Sequence, residues 1–169
     1  MNFKDVTLSD GRVVRVHRPP NQRIHFIVTK RYPYKPNPIK KEKTASGGEI
    51  AIEVVDDPET IRHNEEMDVK RAELADELTM LFAFKDLKVP PDFDLLGEYG
   101  ELIAHSGVDV QPRQGDGGRK LDYIEWDLMG DTGNAMRISN ALGELCGISL
   151  EATDLIGESF PGSMEGTPT

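Results

Sequence analysis

With 169 residues, 37% of them hydrophobic, the chain has room for one ordinary domain with a real core and excludes two large domains. No apolar run approaches the roughly 20 residues that cross a bilayer, and the first residues lack the apolar stretch of a secretion signal. The single cysteine, Cys146, lies in an apolar stretch, which is typical of a buried thiol in a reducing compartment. We therefore expect a cytoplasmic protein with no membrane partner.

The net charge of −10 is divided unevenly along the chain. Residues 1–50 contain 11 Lys and Arg against 4 Asp and Glu, whereas residues 51–169 contain 9 against 26. This division predicts that the basic end meets an anionic partner, or that it meets the acidic part of a neighbouring copy in self-association. A solvated charge pattern without a function is the remaining alternative.

The opening of the chain predicts a β-hairpin. Val6 and Leu8 alternate with polar residues, Asp10-Gly11 supplies the turn, and Val14 and Val16 resume the alternation. Two strands are not stable alone in water, so we expect their apolar face to pack on helices.

Residues 21–32 fit two patterns. Ile24, Ile27 and Val28 have helical spacing, while Ile24, Phe26 and Val28 equally fit a strand. We expect a helix, which completes a first segment of residues 1–32. Residues 33–49 are rich in proline and lysine and predict a flexible linker.

Residues 50–162 are expected to form a helical body, with a further short strand at 49–55 as an added possibility. Asp56-Asp57-Pro58-Glu59 is typical of a helix start, and that helix should run to about Leu87. The other predicted helices cover residues 93–105, 120–129, 134–146 and 150–160, with a loop at 107–118. Residues 163–169 are expected to be a disordered tail. The predicted fold is α+β, mostly α, one domain overall, with the N-terminal β-hairpin packed on a bundle of about four to five helices. Trp126 and Leu142 are expected in its core.

No pattern of catalytic, cofactor-binding or metal-binding residues is present. The four histidines lie far apart, and none neighbours Cys146, so a zinc site is not indicated. Residues 115–120 superficially resemble a phosphate loop, but Lys120 precedes Leu121 instead of Ser or Thr. The acidic residues of the following region are expected to be solvated; they are Asp116, Asp122, Glu125, Asp127 and Asp131. We therefore expect a protein that is not an enzyme and has no cofactor.

Two binding hypotheses follow. In one, basic residues near Tyr32 and Tyr34 contact nucleic acid, because cations neutralise phosphates and tyrosines stack on bases. These residues are Arg12, Arg15, Arg18, Arg23, Lys30, Arg31, Lys35, Lys40, Lys41 and Lys43. The acidic remainder of the chain opposes this hypothesis. In the other, apolar helical surface binds protein partners, and the acidic charge keeps the complex in solution.

Residues 5–20, DVTLSDGRVVRVHRPP, resemble the opening of small proteins that long-tailed bacteriophages encode between their tube and tape-measure genes. The basic proline-rich stretch, the long acidic helix, residues 118–124 (GRKLDYI) and residues 158–161 (ESFP) are similar as well. Proteins of this family are called tail assembly chaperones. The resemblance covers the layout of most of the chain.

The resemblance implies a non-enzymatic tail assembly protein that binds the tape-measure protein and promotes assembly of the tail tube around it. The family offers no catalytic motif, so no site residue is carried over. Such a protein would act in the cytoplasm of the infected bacterium. A virion structural protein (a head–tail connector or a tail completion protein) is the first alternative, and a nucleic-acid-binding protein using the basic N-terminal segment is the second.

Overall fold

The computed structural model describes residues 2–147, which divide into two compact units. Residues 2–19 and 80–147 form the first unit, and residues 20–79 form the second. The helix predicted at 150–160 and the tail predicted at 163–169 lie outside the described residues.

The described residues form four strands, five α-helices and one π-helical segment, in agreement with the predicted mostly α, α+β class. In chain order they are β1 Phe3–Thr7, β2 Val13–His17, α1 Asn21–Arg31, β3 Ile39–Lys43, β4 Glu49–Glu53, α2 Pro58–Ala83, α3 Leu95–Ser106, α4 Gly115–Asp122, the π segment Tyr123–Leu128 and α5 Thr132–Cys146.

In the first unit, β1 and β2 form the predicted antiparallel hairpin. Val6 lies opposite Val14, and Gly11 has a φ of 86°, a conformation that glycine adopts without strain. The inward side chains of both strands are buried against α5 and the π segment. Ile124, Leu128 and Ile138 are fully buried there. Trp126 and Leu142, which the sequence placed in the core, are only partly buried at its margin.

In the second unit, α1 confirms the helical alternative for residues 21–32. Ile24 and Val28 are buried, as the spacing of four residues requires, whereas Phe26 is 67% exposed. A strand would have buried Phe26 together with Ile24. The helical spacing of the apolar residues therefore predicted the structure of this segment correctly, and the alternating spacing did not.

The proline-rich segment after α1 is held against α2. Arg71 donates from Nε to the carbonyl of Tyr32 at 2.7 Å, and its guanidinium lies 3.5 Å from the centre of the Tyr34 ring. The backbone N–H of Lys35 donates to Asn64 Oδ1 at 2.9 Å, and Asn64 Nδ2 donates back to the Lys35 carbonyl at 3.3 Å. Part of the segment predicted as a linker is thus fixed by side chains of α2, which sequence reasoning did not connect with it.

The rest of the predicted linker contains a strand. β3 pairs with β4 in an antiparallel hairpin, with Lys41 opposite Ala51. The sequence anticipated a strand only on the β4 side. α2 then starts as predicted, because Asp57 Oδ2 accepts hydrogen bonds from Thr60 N and Thr60 Oγ1 at 2.9 and 2.7 Å. These bonds lower the pKa of Asp57.

Candidate functional site

The first unit contains a surface cleft of about 660 Å³ between α3 and the π segment. Its described lining residues come from α3, the π segment and the loop that follows it. They are Tyr99, Leu102, Glu125, Trp126, Asp127, Gly130 and Asp131. The cleft is large enough to take side chains of a partner.

The apolar part of the cleft is an aromatic pair. The rings of Tyr99 and Trp126 lie 5.7 Å apart at an interplanar angle of 46°, which is a favourable tilted arrangement. Leu102, one helical turn after Tyr99 on α3, is 62% exposed. Burial, and then the charge of Asp127, raise the pKa of Tyr99, so its hydroxyl is protonated at neutral pH. The pair offers partly buried aromatic surface with an exposed leucine beside it.

One wall of the cleft is fixed by the turn of the N-terminal hairpin. Arg12 donates from Nη1 to Asp127 Oδ2 at 2.6 Å and to the Tyr123 hydroxyl at 2.9 Å. Its Nε donates to Asp10 Oδ2 at 2.6 Å. Arg12 therefore links the hairpin turn to the π segment and compensates one carboxylate of the cleft.

Arg113 fixes Glu125, another carboxylate of the cleft lining, and the neighbouring Asp122. Its backbone N–H and its Nη1 donate to Asp122 at 2.9 and 2.7 Å, and its two guanidinium nitrogens bind both oxygens of Glu125 at 2.9 and 3.0 Å. Asp122 is only 3% exposed. The expectation that these acidic residues are solvated is therefore wrong for Asp122, because an arginine from the preceding loop reaches both carboxylates.

The described lining of the cleft carries three carboxylates and no basic side chain. Asp127 and Glu125 are paired with Arg12 and Arg113, while Asp131 accepts the backbone N–H of Asn134 at 2.9 Å as the N-cap of α5. These ion pairs and this hydrogen bond hold the carboxylates in place around the aromatic pair. Because arginines already compensate Glu125 and Asp127, a cationic group flanked by apolar surface would be attracted mainly by the faces of the rings and by the carboxylate of Asp131.

The π segment places three consecutive side chains, Glu125, Trp126 and Asp127, at the cleft. Such wide turns occur often at functional sites. Gly130 lies two residues after the end of this segment, and an added Cβ there would lie 2.2 Å from the carbonyl oxygen of Trp126. Any residue larger than glycine at position 130 would therefore force the backbone of the cleft to move.

We expect Gly130→Ala to lower the free energy of unfolding by about 1–3 kcal/mol, because the methyl group forces the π segment or the following loop to move. Gly117→Ala is the matched control, since an added Cβ there meets nothing within 4 Å. It should leave stability unchanged or raise it by about 0.4–1 kcal/mol. Denaturant unfolding followed by the fluorescence of Trp126 measures both, and equal stabilities of the two variants would contradict this role of Gly130.

The ten basic residues of the nucleic-acid hypothesis are divided between the two units, with only Arg12, Arg15 and Arg18 in the first. Several are compensated locally: Arg15 binds Asp5 at 2.8 Å, and Lys35 binds Glu59 at 2.7 Å. Neighbouring carboxylates therefore neutralise part of the positive charge of these basic residues.

The histidines are dispersed among the elements. His17 Nε2 lies 2.7 Å from Asp86 Oδ2, and His105 Nδ1 lies 2.7 Å from the carbonyl of Glu101. Within residues 2–147, no cluster of three or more His, Cys, Asp or Glu side chains has a metal-binding arrangement. No helix in this part of the chain combines the length and apolar character that crossing a membrane requires.

Sequence reasoning singled out Trp126 and the carboxylates but missed Tyr99, Leu102 and Arg113. The available signal was the i, i+3 pair of Tyr99 and Leu102 on α3, together with a single tryptophan flanked by Glu125 and Asp127. No protein-family model, curated protein or solved structure matches the chain.

Proposed function

We propose that this chain is a non-enzymatic assembly factor that binds a protein client in the cleft of its first unit. The observation that carries the proposal is the partly buried Tyr99–Trp126 pair beside the exposed Leu102, bordered by carboxylates with no basic residue in the described lining. The resemblance to tail assembly chaperones supplies the identity of the client, the tape-measure protein of a long-tailed phage. The chain would act in the cytoplasm of the infected bacterium during assembly of the tail tube.

The chemistry of the cleft favours a client segment that carries Lys or Arg beside an apolar side chain. A cation over an aromatic ring contributes about 0.5–2 kcal/mol, and covering the exposed part of Leu102 adds about 25 cal/mol per Å² of apolar surface. A few such contacts at the centre of an interface commonly dominate its affinity. A long client with many such segments can therefore be held reversibly at several points.

The state of the polar groups supports binding rather than catalysis. Asp127 and Glu125 are engaged by arginines, Asp131 caps a helix, and the Tyr99 hydroxyl keeps its proton at neutral pH. General acid–base chemistry requires a group free to exchange a proton within reach of a substrate. The polar groups of the cleft are instead held in fixed orientations.

Apolar surface outside the cleft supports the same proposal. Val108, just after the end of α3, is 60% exposed, and Met136 on α5 is 61% exposed. Large apolar side chains exposed together with acidic residues suit a protein that covers aggregation-prone segments of a client while remaining in solution.

Co-expression with the tape-measure protein of the phage proposed to encode this chain tests the proposal. We expect the chain to increase the fraction of the tape-measure protein recovered in the soluble lysate and to be retained with it on affinity purification. Leu102→Lys should reduce co-purification about tenfold or more, because it replaces the apolar contact by a cation that repels the client's Lys or Arg.

Leu96→Lys is the matched control, since it adds the same charge at an exposed leucine of the same helix outside the cleft. It should co-purify like the unaltered chain. If the chain leaves the solubility of the tape-measure protein unchanged, the proposed client is wrong. If both lysine variants behave alike, the cleft is not the binding site.

A further inference from the structure

The β3–β4 hairpin of the second unit is exposed along its whole length. All ten of its strand residues are exposed, among them Ile39 at 70%, Ile50 at 48% and Ile52 at 38%. A two-stranded hairpin is at best marginally stable in water unless a further strand or a packed face supports it. The hairpin therefore has the properties of an element that gains stability from a partner.

The hydrogen bonds at the two ends of the hairpin show which backbone groups point outward. Thr44 N donates to the Gly48 carbonyl at 2.7 Å, and Val54 N donates to the Pro38 carbonyl at 2.9 Å. Hydrogen-bonded and non-hydrogen-bonded pairs alternate along an antiparallel ladder. The pair of Lys41 and Ala51 is therefore non-hydrogen-bonded, so the N–H and C=O groups of these residues face the two outer edges.

The same alternation assigns all outward-facing backbone groups. On the β3 edge they belong to Ile39, Lys41 and Lys43, and on the β4 edge to Glu49, Ala51 and Glu53. β3 contains three lysines and one glutamate, whereas β4 contains two glutamates and no basic residue. One edge is thus basic and the other acidic, and both are open to a further strand.

We propose that the β4 edge of one copy pairs with the β3 edge of a second copy, continuing the antiparallel sheet from chain to chain. Unlike charges then face each other, as Lys43 and Glu49 already do within the hairpin. Pairing two β4 edges around Ala51 would place Glu49 opposite Glu53, and pairing two β3 edges would place Lys41 opposite Lys41. Like charges directly opposite each other are destabilising, so the unlike pairing is selected.

Lysines on an edge strand ordinarily discourage pairing with other chains. Here the acidic β4 edge carries the complementary charge. The lysines of β3 therefore restrict the partner to an acidic strand such as β4 of another copy. Because the two edges differ, each added copy leaves one edge of either kind open. The contact is heterologous and produces rings or open chains of copies rather than a closed dimer. This inference does not depend on the identity of the client.

Ala51→Pro tests the contact by removing one outward N–H. Proline is tolerated on an edge strand when its missing N–H faces outward, so the bonds within the hairpin are retained. We expect sedimentation velocity of the full chain to show mass increasing with concentration, and Ala51→Pro to weaken this association about tenfold or more. Ala51→Thr keeps the N–H in a residue that favours strands, and it should associate like the unaltered chain.

Amide hydrogen exchange of the unaltered chain provides a second test that needs no substitution. The amides of Ile50 and Ile52 should be protected at every concentration, whereas those of Lys41 and Ala51 should become protected only when copies associate. A chain that remains monomeric overturns the inference, as does a discrete dimer, which indicates pairing of like edges or another surface. Equal association of Ala51→Pro and Ala51→Thr overturns it as well.

Discussion

Phe84→Ala is expected to lower the free energy of unfolding of the first unit by about 3–5 kcal/mol. Phe84 lies just after the end of α2, has no exposed surface and belongs to the same core cluster as Ile124 and Ile138. Removing its ring creates a cavity that the surrounding helices and the hairpin cannot fill without moving. Trp126 is the only tryptophan and lies in this unit, so its fluorescence during denaturant unfolding reports the loss.

Phe82→Ala is the matched control, because Phe82 is two residues away and 36% exposed. It should cost about 1 kcal/mol. Equal losses for the two variants would contradict the position of the core at the end of α2.

Asp122→Ala is the second change with a large expected effect. The carboxylate of Asp122 is nearly inaccessible and accepts both the backbone N–H and the guanidinium of Arg113. Its removal leaves the partly buried N–H of Arg113 without this acceptor and breaks one ion pair of a guanidinium that keeps Glu125. Because the Arg113 side chain is 34% exposed, we expect a loss of about 2–4 kcal/mol, below that of a fully buried pair.

Asp122→Ala should also alter the position of Glu125 in the cleft, because Arg113 binds both carboxylates. Asp122→Asn retains an acceptor for the backbone N–H and should lose less stability than Asp122→Ala. Asp116→Ala removes an exposed carboxylate of the same helix and should stay within about 0.5 kcal/mol of the unaltered chain. Thermal and denaturant unfolding of the three variants measures the order. An Asp122→Ala protein as stable as the Asp116→Ala control would contradict the buried network.

The features predicted correctly from the sequence are those with local causes. Asp10-Gly11 specifies the turn of the first hairpin, and the spacing of Ile24 and Val28 specifies α1. The start of α2 follows from Asp57, whose side chain binds Thr60 three residues later. Each of these signals acts within a few residues, so a single sequence contains all the information needed.

The features that were missed depend on residues far apart in sequence. Arg71 fixes the segment around Tyr32 and Tyr34 from 39 positions away, and no local pattern connects them. The lysines of β3 have low strand propensity, so that strand is specified by its pairing with β4. Composition alone therefore predicted a linker where the chain forms half of a hairpin.

The candidate cleft was missed for a related reason. Its acidic walls depend on Arg12 and Arg113, which reach Asp127 and Glu125 from other elements. The π segment adds a residue to one helical turn, and a pattern of fixed helical period does not detect this shift. Trp126 consequently had the pattern of a core residue, although the structure places it at the edge of an open cleft.

Fluorescence of Trp126 tests the central claim most directly, because the single tryptophan lies at the site where the client is expected to bind. The measurement is a titration of the full chain with overlapping synthetic peptides that cover the proposed client, the tape-measure protein of the phage proposed to encode this chain. We predict a saturable change in Trp126 emission with peptides that carry Lys or Arg beside apolar residues, retained in Leu96→Lys and lost in Leu102→Lys. Unchanged emission with every peptide, or the same saturation in both variants, would contradict binding in the cleft.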